Sequence, residues 1–239
     1  SSLNDADIRS LIGKGSATQM SFNEWHGASA DIEFVTSAER TLTFSSNKRV
    51  VSLTGLGIQA GDLVFVQGVA QGLGDKWGNT AGTGWVPCDT MSGYHNWQTS
   101  FRFYKTMGAS VDTQFALNVY EDSWTNSYTH PALIVVFRNA SSSPTNTSEY
   151  FDGSQRLTFS PGSIPVANAN SLHVILATRA GYGTPNPQSG WTWMGFARTV
   201  NQAGSGYTNS CNLWYKLGVP AGTSNIGTVN WSSGYARLN

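Results

Sequence analysis

Four histidines, His26, His95, His130 and His173, are the side chains best suited to hold a metal or move a proton near neutral pH. No HxH or HExxH spacing joins any two of them, so each reads as an isolated polar residue. Glu121 and Asp122, next to Trp124, form a carboxylate pair in a loop setting, where two acids can bind Ca²⁺ or divide acid and base roles in glycoside hydrolysis. The spacing of a calcium loop is missing, however, and adjacent residues of an extended chain point to opposite faces. The pair reads as a solvated turn. Serine is abundant without a GxSxG elbow or a His–Asp partnership. The stretch GLGDKWG (72–78) has closely spaced glycines but lacks the helix and terminal Lys-Ser/Thr of a phosphate loop. It reads as a β-loop. These residues predict no enzyme, no cofactor and no metal site.

Aromatic residues carry the stronger signal: the chain holds nine Trp and nine Tyr. Trp85 and Trp191 each follow a glycine and are expected to cap the core. Trp77, Trp97, Trp124, Tyr128 and Tyr182 fall in segments rich in Gly, Asn, Ser and Thr, around 71–84, 89–100, 121–130 and 181–190. Flat rings beside amide and hydroxyl groups suit sugars, which stack on one face and hydrogen-bond at the edge. The same rings also serve to pin long loops or fill a subunit interface, and both readings stand. Cys88 and Cys211 are either a disulfide or two packed thiols, since sequence fixes no distance between them.

The elements that must position these residues repeat. GDLVFVQGVA (61–70), Gly84–Trp85, FRFYK (101–105), TQFALNV (113–119) and ALIVVFR (132–138) return in the same order as NSLHVILATRA (170–180), Gly190–Trp191, NLWYK (212–216), IGTVNWS (226–232) and SGYARLN (233–239). Tyr-Lys is followed by a glycine in both copies, Gly108 and Gly218. Two related β-units are expected, at about 48–140 and 156–239. Short runs rich in β-branched and aromatic residues alternate from Asp31 onward, and PALIVVFR is apolar throughout, as a strand covered on both faces would be. The Ser/Thr/Asn/Pro stretch 139–148 is the expected linker. The fold class predicted is all-β, a jelly-roll-like antiparallel sandwich over residues 30–239.

Residues 1–29 follow another pattern. Ile8, Leu11 and Ile12 have helical spacing ending at Gly13, and SFNEWHG carries Ser21 and Glu24 three apart, as a capping box requires. Two short helices cannot form a core alone, so Ile8, Leu11, Ile12, Phe22 and Trp25 are expected to dock on the sandwich or on another protein. Only 12% of residues are charged, the net charge is zero and 26 are glycine, a surface of Ser, Thr, Asn and Gln. With no basic run, no nucleic-acid partner is expected. No apolar run approaches the ~20 residues of a membrane helix, and no secretory signal is apparent at the N-terminus.

The segment DIRSLIGKGSATQMSFNEWHGAS (7–29) resembles an N-terminal segment of structural proteins of tailed bacteriophages, especially marine ones, with His26 where Tyr is more usual. The β-body is similar, more weakly, to phage and fibre-associated sandwich modules. The resemblance implies a virion location, assembly with other virion proteins and a homo-oligomer, preferably a trimeric tail (fibre or tip) component. A lectin-like receptor-binding module for host-surface glycans and a capsid decoration protein are the alternatives.

Overall fold

The computed structural model describes residues 31–45, 48–71, 77–80, 82–88, 98–119, 130–140, 158–159, 163–166, 168–180, 185–186, 188–202, 205–230 and 237–238. The chain divides into two compact bodies, Ser1–Asp31 and Ile32–Asn239, and the architecture below is that of the second. Its described residues form strands β1 (Glu33–Ser45), β2 (Lys48–Ser52), β3 (Leu63–Gln71), β4 (Trp77–Thr80), β5 (Val86–Pro87), β6 (Gln98–Thr106), β7 (Gln114–Val119) and β8 (His130–Arg138). The second half adds β9 (Thr158–Phe159), β10 (Ile164–Val166), β11 (Ser171–Ala180), β12 (Thr192–Gln202), β13 (Ser205–Val219), β14 (Gly222–Ser224), β15 (Val229–Asn230) and β16 (Arg237–Leu238).

In the first repeat the strands run β4-β7-β2-β1-β8-β3-β6-β5, all antiparallel. The sheet curls because β1 serves both of its halves. Up to Leu42 it pairs with β8, and from Thr43 it pairs with β2. A register shift between Phe34 and Thr36 marks a bulge near the start of β1. The curl brings β2 and β7 (Val51, Phe115, Leu117) onto β3, β6 and β8 (Val64, Val66, Phe103, Ile134, Val136) around one core. The order β1-β8-β3-β6 opposite β2-β7-β4 is that of a jelly roll, with β5 set on the outer edge beside β6.

The second repeat rebuilds the same lanes. Its sheet β12-β13-β11-β16 mirrors β5-β6-β3-β8, and the pair β9–β15 mirrors β2–β7. From His173 onward the registers agree, with a shift between Ser171 and His173 that the first repeat lacks. Val64 faces Lys105 and Phe65 faces Tyr104 in the first, while His173 faces Lys216 and Val174 faces Tyr215 in the second. On the other side of the central strand, Val86 faces Tyr104 and Thr192 faces Tyr215. The short sheet β10–β14 supplements the second repeat.

Three cores follow from the period-two alternation. Val64, Val66, Ile134 and Val136 face the first core. Leu63, Phe65, Leu133, Val135 and Phe137 face the other way and meet Cys211, Leu213 and Tyr215 of β13 in a second core between the repeats. Ile175, Ala177, Trp214, Ile226 and Val229 form the third, inside the second repeat. The expectation that PALIVVFR is covered on both faces holds, since residues 131–137 are all buried. Gln67, 1% exposed, donates from Nε2 to the carbonyl of Asn212 at 3.0 Å and stitches the repeats across their interface. Gly68 leaves room for the Phe101 ring, which a Cβ at that position would strike.

Two expectations need correction. The stretch around 71–84, whose GLGDKWG is expected to be a β-loop, contains β4, because WGNT finds the free side of β7 and pairs Trp77 with Val119 and Thr80 with Leu117. Gly108 and Gly218 are not equivalent. Gly218, two residues past Lys216, takes φ 64°, whereas Gly108 lies three past Lys105 and is not left-handed.

Candidate functional site

One cross-strand row occurs in both repeats and differs between them. In the first, Lys105 at the end of β6 lies between Val64 of β3 and Trp85, the residue just before β5. Gly84 makes the corner that aims Trp85 inward: it takes φ 81°, a conformation glycine tolerates and Cβ-bearing residues rarely do. A Cβ on Gly84 would also come within 3.4 Å of Lys105 Cε. Trp85, 6% exposed, stacks edge-on against Phe115 with ring centroids 4.9 Å apart. Its indole Nε1 donates to Asp112 Oδ2 at 3.0 Å. Lys105 Nζ donates to the same oxygen at 2.7 Å and to the Thr83 carbonyl at 2.8 Å. The Asp112 carboxylate therefore closes a clamp that fastens the β6–β7 connection to the Gly-Trp corner.

In the second repeat the row is Trp191, Lys216, His173. Gly190 takes φ 74° and a Cβ there would lie 3.7 Å from Lys216 Nζ, so the glycine–lysine contact is rebuilt. His173, 8% exposed, stands where Val64 stands, with its ring centroid 6.3 Å from that of Trp191. Burial, seconded by the charge of Lys216, holds its imidazole below the usual histidine pKa. Its Nδ1 is buried without a hydrogen-bond partner. The clamp's carboxylate is missing. Asp112 sits three residues before the core position Phe115, and three before the core position Val229 sits Ile226, which is apolar and 6% exposed. Among the described residues, neither the Lys216 ammonium nor the Trp191 indole N–H has an acceptor.

This difference extends to the whole second repeat. The last acidic residue of the chain is Asp152, and residues 153–239 hold Arg156, Arg179, Arg198, Lys216 and Arg237 with no Asp or Glu. That split was legible in the sequence. A zero net charge conceals it, because the excess of acids before residue 153 cancels the cations after it.

The residues singled out by sequence are distributed as follows. Trp77 opens β4 and its backbone pairs with Val119. Trp97, Trp124, Tyr128 and Tyr182, with Glu121, Asp122, His26 and His95, lie outside the described residues, as do Ile8, Leu11, Ile12, Phe22 and Trp25. His130 begins β8 opposite Leu42. Trp85 caps the first core, and Trp191 packs half-buried against the third. Cys88 and Cys211 are not joined in a disulfide, and both pack at the core between the repeats. Among the described residues no three His, Cys, Asp or Glu side chains gather as a metal site would require, and no helix is long and apolar enough to cross a membrane.

A second polar cluster is architectural. Asp62, fully buried, accepts from Arg138 Nε at 2.9 Å and Nη2 at 3.0 Å, and Arg138 Nη1 reaches Glu33 at 3.3 Å. Asp62 and Glu33 raise the guanidinium pKa, which keeps Arg138 charged throughout the accessible range. The cluster ties the start of β1 and the end of β8 to the turn before β3.

Comparison with protein-family models, with curated proteins and with solved structures finds no match.

Proposed function

We propose that the chain is a non-enzymatic structural protein of a bacteriophage virion, a tail (fibre or tip) component that assembles through residues 1–29. The observation that carries this reading is the jelly roll of the first repeat fused to a second, related antiparallel repeat through the shared core of Leu133, Val135, Phe137, Leu213 and Tyr215. Jelly rolls recur in viral capsid and lectin domains, where a stiff sandwich presents surfaces rather than a reaction centre. The warrant from fold to role is one of analogy. The resemblance of residues 7–29 to phage structural proteins supplies the second support, and virion parts repeated by symmetry favour a homo-oligomer, preferably a trimer.

Particles assembled with the full chain or with residues 1–29 deleted test the reading. Loss of the truncated protein from purified particles, with its body still folded by circular dichroism, is the expected result. Normal incorporation of the truncated protein would overturn the docking role.

A further inference from the structure

We propose that the second repeat carries a binding site for a carboxylate from outside the repeat, held by the Lys216 ammonium and the Trp191 indole N–H. The internal comparison makes the argument. Where the same lysine, tryptophan and left-handed glycine occur in the first repeat, one carboxylate oxygen takes both N–H groups, at 2.7 Å from Lys105 and 3.0 Å from Trp85. The second repeat keeps the donors, and Ile226 stands at the position that would supply the acid. No other acid of that repeat can substitute, since residues 153–239 contain none. Lys216 is only half-buried, so a ligand can reach it from solvent. His173, the cross-strand neighbour of Lys216, adds a second sign: its buried Nδ1 has no hydrogen-bond partner.

The surroundings narrow the ligand. Trp193, in β12 two residues past Trp191, is 37% exposed. Its own Nε1 is bound to Asn212 Oδ1 at 3.1 Å, which leaves the ring face and not the N–H for contact. An ammonium with exposed indole surface nearby suits the carboxylate of an acidic sugar, whose ring stacks while its charge pairs. An Asp or Glu side chain of a second copy offers the same carboxylate, because every acid of the chain lies before residue 153.

The test titrates isotope-labelled full-length protein with sodium glucuronate, against glucose and sodium chloride at matched concentration and ionic strength. Indole N–H and imidazole signals are followed by NMR, with Trp191→Phe assigning the indole. Glucuronate should move the Trp191 and His173 signals saturably and raise the pH at which His173 titrates, because a carboxylate offsets the charge of Lys216. Binding should weaken at least roughly tenfold in Lys216→Met, the loss expected for one charged hydrogen bond. Sedimentation of both proteins from dilute to concentrated solution separates the two sources. If the native chain self-associates, Lys216→Met stays monomeric and glucuronate competes, the carboxylate comes from a neighbouring copy. If the protein stays monomeric while binding glucuronate, it comes from a free ligand. Shifts equalled by glucose or chloride, binding unchanged in Lys216→Met, or neither binding nor association would overturn the proposal.

Discussion

Two substitutions of equivalent lysines should have unequal consequences. Lys105→Met removes two hydrogen bonds from the ammonium, to Asp112 Oδ2 and to the Thr83 carbonyl, and leaves the Trp85 indole as the partner of Asp112 among the described residues. A hydrogen bond to a charged group contributes about 1.5–3 kcal/mol when shielded from water. The Lys105 and Asp112 side chains are 15% and 27% exposed, so solvent screens the pair in part. The lower end applies, and Lys105→Met should cost about 1.5–2 kcal/mol, methionine retaining most of the stem's packing. Lys216→Met removes no hydrogen bond or ion pair among the described residues and relieves the charge that opposes protonation of His173. Its cost should stay within about 0.5 kcal/mol, as for a substitution away from any specific contact. Equilibrium urea denaturation above the usual histidine range reads both, as shifts in midpoint at constant slope. Equal losses for the two variants would refute the asymmetry of the rows. A Lys105→Met loss under about 0.5 kcal/mol would refute the clamp.

His173→Val installs the residue that the first repeat carries at the same place. Because burial and Lys216 hold the His173 pKa below its usual 6.5, the folded chain takes up a proton less readily than the unfolded one. Stability should therefore be full above that value, decline as the pH falls below it and level off once the folded histidine is also charged. The variant should flatten this decline in denaturation midpoints measured across that window, and an unchanged pH profile would count against a buried neutral His173. Leu213→Ala, at a residue with no exposed surface in the core between the repeats, should cost about 3–5 kcal/mol. Calorimetry should show the loss, and a cost under about 1 kcal/mol would mean that the repeats do not depend on this core.

Much of the fold could be read from the residues. PALIVVFR has no polar face, and its burial on both sides follows from the alternation of neighbouring strands around it. The repeated Gly-Trp and Tyr-Lys pairs located equivalent corners and central strands, because a left-handed glycine and a paired lysine are visible as letters. The two-residue β5 and the four-residue β4 were harder to see. Strands that short are set by a neighbour's free edge rather than by their own composition. The glycines after the two lysines looked alike and were not, since a one-residue offset changes which position of the turn needs positive φ. Nothing in either half alone shows that Lys216 lacks, among the described residues, the carboxylate that Lys105 holds. That emerges only when its row is laid over that of Lys105. The expected glycan-binding residues Trp97, Trp124, Tyr128 and Tyr182 lie outside the described residues, so the rows carry the weight instead.

The charge division bears on assembly as well as on the site. All fourteen acids and nine of the fourteen cations precede residue 153, while the remaining five cations stand in the second repeat with no acid among them. A chain with zero net charge thus has an acidic portion joined to a basic one. At short range, a basic surface of one copy attracts an acidic surface of another, and the attraction falls off beyond a Debye length of about 8 Å at physiological salt. Contacts of this kind set orientation and encounter rate more than final affinity. Head-to-tail contact between the acidic portion of one copy and the basic portion of the next would be heterologous. Such contact gives a ring when the rotation closes and a filament when it does not. Lys216 is a basic residue of that portion at which a neighbour's carboxylate would find a second donor, the Trp191 indole N–H, which joins the geometry of one row to the charge pattern of the whole chain.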